Sequence, residues 1–213
     1  MDFNIVLRSR HSIRVFTEAQ IPAEDLEAIV ADAKRTPSWC NAQEWKVWIA
    51  TGRAMKCIRE EYISMVESRV APKSDIAPAP RSAWSAEAQK RMAEFNDQIA
   101  AANLGPVMGS VQETLYNAPA IAVLTVPKNA PVWAMFDLGS FVQTLTLAAA
   151  DRDLGTCVSW NIVKYPEILR KHLEIPADQD IVIGVAIGHE GNDDINKIRS
   201  DRELTYKMLT IKD

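Results

Sequence analysis

Several stretches of this chain repeat their apolar positions every three to four residues, and short continuous apolar runs lie between them. Leu26, Ile29, Val30 and Ala33 keep one helical face after Pro22, a residue that suits a first turn. Thr36-Pro37 ends that helix, because proline disfavours helical geometry in the residue before it. The pattern then predicts a strand over 46–51, closed by Gly52, and a helix in which Met55, Ile58, Tyr62 and Met65 share a face. Proline and alanine dominate 71–80, which reads as an irregular connector. Ser85 is placed to cap a further helix carrying Met92, Phe95 and Ile99 on one side.

The second half is more apolar. Residues 120–126 form a β-branched run without polar alternation, the pattern of a strand buried on both faces. Leu138, Phe141, Val142, Leu145 and Ala149 make a strongly apolar helix that stops near Leu154-Gly155. A short strand over 156–160, a small helix from Pro166 and a buried strand over 181–187 follow. The tail at 207–211 reads as a last strand with no partner nearby. Helices and apolar strands mix without an internal repeat, so the class is α+β or α/β.

Composition narrows the functional classes. At 213 residues the chain is expected to be one domain, burying about 70% of its unfolded surface. A net charge of -4 argues against a nucleic-acid surface, which needs a basic stripe. Cys40, Cys57 and Cys157 are odd in number and lack metal-type spacing, so neither a disulfide framework nor a zinc site is expected. A reducing cytoplasm is the simplest home for them. No leader pattern opens the chain, and no stretch is expected to span a membrane.

Two polar segments carry the chemistry. The first is Arg10-His11-Ser12-Ile13-Arg14, in which Arg10, Ser12 and Arg14 alternate and can point to one side of an extended loop. The second is Pro37-Ser38-Trp39-Cys40-Asn41-Ala42-Gln43-Glu44-Trp45. Arginine fits phosphate oxygens as a planar fork, and the carboxamides of Asn41 and Gln43 can both give and accept at a polar ring edge. This inventory suits a phosphorylated aromatic cofactor. There is no G-x-G-x-x-G and no Walker motif, which argues against a Rossmann dehydrogenase and a P-loop enzyme.

The pairing of R-x-S-x-R-x-F with P-S-x-x-N-x-Q-x-W resembles the flavin-binding signature of the nitroreductase family. Asn117-Ala118-Pro119, Asp137-Leu138-Gly139 through Gln143, Leu154-Gly155-Thr156-Cys157, Ile187-Gly188-His189 and the tail Asn196 to Arg202 extend the likeness in order, leaving out roughly 71–106. Glu44 departs from it, standing where the family generally has proline, and Trp39-Cys40 replaces a small polar pair.

The resemblance implies an α+β fold with a mainly antiparallel sheet wrapped by helices, in an intertwined homodimer with exchanged C-terminal strands. It implies FMN as cofactor and NADH or NADPH as electron donor. A small nitroaromatic or quinone-like acceptor would then be reduced by a ping-pong route. Reductive dehalogenation, flavin cleavage, an oxidase reaction or a non-catalytic flavin module remain open beside it. Cofactor contacts are expected from Arg10, His11, Ser12, Arg14, Pro37, Ser38, Trp39, Asn41, Gln43, Ser159, Arg199 and Arg202. Trp39, Trp133 and Trp160, on loop-like segments, are candidates to line a flat aromatic pocket with Met108 and Phe136, and residues 71–106 to cover it. No side chain is expected to act as acid, base, nucleophile or metal ligand, because the flavin carries the chemistry. Cys157 in particular falls in a buried strand, where a thiol is inert.

Overall fold

The structure is a computed structural model that describes residues 2–213. Its helices and strands run in the order α1 (Phe3–Ser9), α2 (Ala23–Ala33), β1 (Lys46–Thr51), α3 (Gly52–Glu67), α4 (Ala86–Ala101), α5 (Gly105–Glu113), β2 (Ala120–Pro127), α6 (Val132–Ala150), β3 (Gly155–Ser159), α7 (Pro166–Leu173), β4 (Gln179–Gly188) and α8 (Thr205–Met208). The strands form one antiparallel sheet in the order β1-β2-β4-β3. The class is therefore α+β, as the resemblance implied.

Strand β2 explains why the sheet is central. Successive side chains of a strand point to opposite faces. Ile121 and Val123 enter one core with Tyr62, Tyr116 and Ile181, while Ala122 and Leu124 enter a second with Leu26, Ile29 and Phe141. Helices α3, α5 and α7 supply the first layer, and α2 and α6 the second. Burying each large side chain contributes about 1.5–3 kcal/mol, so both faces of the sheet drive folding. Gly184 of β4 keeps the first layer close, since a Cβ there would lie 2.4 Å from Ile162.

Helix α6 corrects one expectation. At 19 residues it is long and apolar enough to cross a membrane, although half of it is buried inside this chain. Its buried side chains, Leu138, Phe141, Val142 and Leu145 among them, pack with α2 and with the sheet in one core, so an apolar surface on more than one side is needed. It also begins earlier than the sequence pattern suggested, so Trp133 stands on its first turn and not on a loop, with Phe136 just after it.

The tail corrects another. Residues 207–211 form no strand within this chain; Thr205–Met208 is a short helical turn, closed by Leu209 N–H donating to the Thr205 carbonyl at 2.9 Å. An unpaired strand would leave its backbone groups without partners, and the turn satisfies some of them locally. Tyr206, Met208, Leu209 and Ile211 remain exposed.

The connector at 71–80 is irregular, as expected, but it is strapped down. Lys73 N–H donates to the Lys164 carbonyl, the Trp160 indole donates to Ser74 Oγ at 3.0 Å, and Asp75 pairs with Arg170 at 2.6 Å while accepting the Ile181 N–H. Helix α4 starts at Ser85, whose hydroxyl accepts the Ala88 N–H.

One buried amide joins the two ends of the chain. Asn196 Oδ1 accepts the N–H groups of Arg14 and Val15, at 2.7 and 3.1 Å. Its Nδ2 donates to the carbonyls of Val15 and Gly191, at 2.7 and 2.9 Å. All donor and acceptor capacity of this 1%-exposed side chain is used. Truncation strands buried backbone groups, each costing about 1–3 kcal/mol. Asn196→Ala should therefore destabilise the protein by about 2–4 kcal/mol, read as a lower denaturant midpoint; an unchanged midpoint would show that the staple carries no weight.

Candidate functional site

The segment after α1 lies alongside β3. Ser12 forms a parallel bridge with Thr156, and Ile13 N–H donates to the Thr156 carbonyl at 2.9 Å. Further on, Phe16 bridges Glu190 antiparallel. Ile13, 2% exposed, is driven into the core, and a Cβ on Gly155 would lie 2.6 Å from it, so the close approach requires glycine there. With Ile13 pinned inward, alternation turns Arg10, Ser12 and Arg14 outward.

They open onto a cavity of about 490 Å³ whose wall includes Arg8, Arg10, Arg14, Arg199, Arg202 and Ser12. No acidic residue lines it, and none of these five arginines forms an ion pair with a carboxylate among the described residues. The hydrogen bonds they make go to neutral oxygens. Arg14 donates to the Ser12 carbonyl, Arg199 to the Asn196 carbonyl and Arg202 to the Ser200 carbonyl and hydroxyl. Burial, and then the charge of Arg202, lowers the pKa of Arg10. Crowded like charges without counter-ions favour an anion, and guanidiniums can grip phosphate bidentately. The volume falls in the ordinary range of ligand pockets, about 300–1,000 Å³.

Helix α4 closes one side. Phe95 lines the cavity with the Arg14 guanidinium 6.0 Å from its ring centre, and Gln98 donates to the Arg199 carbonyl at 3.0 Å. Arg91 reaches Glu203 of the tail at 3.2 Å. Phe95, Gln98 and Asn196 are parts of the site that the sequence did not single out. Their only signal was an apolar helical face in one case and a place beside the tail arginines in another.

The second polar segment forms a separate, tightly wound loop. Cys40, Asn41 and Gln43 hold left-handed φ angles of 45°, 64° and 50°. Such angles are costly for side chains other than glycine. The loop is fixed by Ser38 Oγ accepting the Gln43 N–H, by Gln43 Nε2 donating to Asn41 Oδ1 at 2.8 Å, and by Asp137 accepting the Trp39 N–H. Pro37, Ser38, Asn41 and Gln43 do not line the arginine cavity. Thus the two ends of the chain converge, while the amide loop stands apart.

The other expected contacts divide. The His11 ring sits 2.7 Å from the Ser9 carbonyl and faces Glu190 at 3.7 Å, while still bordering the arginine cavity. The buried Ser159 hydroxyl accepts bonds from Tyr116 and from the Asn161 N–H, so it shapes the end of β3. Cys157 is buried, which raises its thiol pKa, against a smaller opposing effect of Arg14. Trp39 and Trp133 stack at 4.8 Å, and Phe136 meets Trp133 edge-on at 6.1 Å. Trp160 is tied instead to Ser74 and packed against the core, and half-buried Met108 lies on α5.

This sequence and this fold have known counterparts. The pattern that defines the Nitroreductase family matches residues 7–189. The chain is 26% identical over 199 residues to a 4-nitrobenzoate reductase of Nocardioides sp. (strain LMS-CY), covering 88% of this chain and 80% of that protein. It is 30% identical over 203 residues to a nitrobenzene nitroreductase of Ectopseudomonas oleovorans, covering 88% and 86%. Among solved structures, the FMN-dependent nitroreductase NfnB from Mycobacterium smegmatis, in complex with NADPH, superposes with a TM-score of 0.88 at 22% identity, over 99% of this chain and 97% of that one. By sequence pattern over most of its length, with a matching fold, this chain belongs to the nitroreductase family.

Proposed function

We propose that this chain is an FMN-dependent oxidoreductase that takes hydride from NADPH or NADH and delivers electrons to a flat nitroaromatic or quinone-like acceptor. The observation that carries the reading is the acid-free cavity in which Arg10, Arg14, Arg199 and Arg202 converge with Ser12. Bound FMN supplies the hydride chemistry, and the protein supplies placement and charge. The arginines neutralise the phosphate, with His11 bordering it. Arg14, whose charge acts on Cys157 and Tyr116, is also the cation that would stabilise negative charge developing on the ring. Asn41 and Gln43, shaped by Pro37 and Ser38 and flanked by Trp39, hold the polar edge of the ring, while Ser159 sets the strand end beneath it.

Because the amide loop lies outside the arginine cavity of its own chain, this reading needs two copies. A homodimer with exchanged tails supplies them. Support comes from the exposed apolar tail and from the free edge of β1, where Leu26, Val30, Val47 and Ile49 line a groove of about 560 Å³ beside α2. We read 1–213 as one domain in which residues 71–106 cover the pocket, since Phe95 and Gln98 already reach it. Three free cysteines fit a reducing cytoplasm.

The purified protein should be yellow or take up FMN on titration. Each charge-assisted bond contributes about 1.5–3 kcal/mol. Arg10→Ala and Arg14→Ala should therefore each weaken FMN binding by roughly one to two orders of magnitude in Kd. A colourless protein that ignores added FMN removes the reading. If donor and acceptor occupy one stacking place in turn, initial-rate plots at several NADPH concentrations should give parallel lines; intersecting lines argue for separate places. Truncation after Arg202 should convert a dimer to monomers in sedimentation, whereas an unchanged mass would count against tail exchange.

A further inference from the structure

Among the described residues, Asp137 alone of the aspartates, glutamates, lysines and arginines is buried, at 5% exposed on α6. A carboxylate leaves water only where donors replace it. The donor here is the Trp39 N–H, 2.9 Å from Oδ2 and 98 positions away in the chain. Trp39–Asn41 is a single 3₁₀ turn, and the first N–H of such a turn finds no acceptor inside it. Ser38 stands in the usual capping place, but its hydroxyl accepts the Gln43 N–H instead, at 3.1 Å. Asp137 therefore caps the turn from another element. Further along the same helix, Thr144 Oγ1 accepts the Thr36 hydroxyl at 2.9 Å, so α6 holds the approach to the loop as well.

The turn presents a linked pair of carboxamides. Asn41 and Gln43 take left-handed φ angles, and Gln43 Nε2 donates to Asn41 Oδ1 at 2.8 Å. Both residues are exposed. Their mutual bond leaves Asn41 Nδ2 to donate and Gln43 Oε1 to accept. Exchanging O and N in both amides reverses the roles and again leaves one of each. A donor beside an acceptor matches an imide edge, the adjoining C=O and N–H at the pyrimidine end of a flavin. Neither φ angle is one that these residues hold by local preference, so the pair depends on the ties around it.

We propose that Asp137 is a positioning residue: by capping the turn at Trp39 it holds the Asn41–Gln43 pair in the arrangement that offers a donor and an acceptor to the imide edge of FMN. The inference rests on the oxidoreductase reading and adds the residue that sets the contact at the ring edge. A bond from a carboxamide N–H to a ring oxygen strengthens as negative charge develops on the ring. The cap therefore raises the midpoint potential of bound FMN.

The test is the two-electron midpoint potential of FMN on the full-length protein, measured by dye equilibration. Asp137→Ala should hold reduced FMN about tenfold less well relative to oxidised FMN, a fall of about 30 mV. Asp137→Asn keeps an oxygen for the Trp39 N–H and should stay at the wild-type potential. Loss of a negative charge by itself predicts the opposite sign, a rise in both variants. Asn41→Ala should lower the potential too, and adding Asp137→Ala to it should change nothing more, because the aspartate acts through that residue.

A yellow wild type whose potential is unmoved by Asp137→Ala, or raised by it, overturns the proposal and leaves the oxidoreductase reading standing. So does an equal fall in Asp137→Asn, or a further fall in the double variant. If Asp137→Ala does not fold, the same bond is removed from its other end. Trp39→Pro lacks the N–H at a place where the extended backbone of Ser38 accepts a following proline, and Trp39→Ala loses the same ring but keeps the N–H. The proline variant should lie about 30 mV below the alanine variant, and equal potentials overturn the proposal. A wild type that takes up no FMN refutes the oxidoreductase reading, and the proposal falls with it.

Discussion

Mutual repulsion among arginines is the constraint around which the site is built. Arg10 and Arg14 come from the start of the chain, Arg199 and Arg202 from its end, and no carboxylate in the cavity wall offsets them. Left alone, such groups would separate into solvent. They stay because uncharged interactions hold their backbones: the bridge from Ser12 to Thr156, the inward side chain of Ile13, and above all the four bonds of Asn196. The electrostatic cost of the site is thus borne by packing and amide bonds. Folding works against repulsion in this region, and an anion placed among the guanidiniums would relieve it.

The sheet supplies the rigidity behind that arrangement. Strand β2 is buried on both faces and paired along both edges, with a single irregularity between Leu124 and Thr125. Strand β3, which carries the Arg10–Arg14 segment beside it, is held by the register Gly155↔Gly188 to Ser159↔Gly184. Elements that hold the site lie in the core, whereas elements that face a ligand lie on its margin.

Much of the fold was legible because its signals are local. Pro22, the apolar face of α2, the run in β2 and the cap at Ser85 each state their own structure within a few residues. The misses are elements whose reason is not local. Helix α1 buries only Val6 and so shows no face, and α5 is interrupted by Gly109. The tail looked like a strand because its residues suit one, yet nothing within the chain pairs with it. In the site, the arginines announced themselves by type and spacing. Asn196, Phe95 and Asp137 did not, because each acts on a partner roughly eighty to a hundred and eighty positions away, which no window along the sequence can reveal.

The contacts of helix α4 link its position to the arginines of the cavity. Its Phe95 ring lies over the same guanidinium that is offered to an anion, and its Gln98 holds the carbonyl of a second arginine. A ligand that draws Arg14 toward itself changes what α4 rests upon. Thermodynamic reciprocity then requires that anything which displaces α4 alter the ligand's grip by the same factor. Displacement of α4 and retention of an anion would then be two readings of one equilibrium.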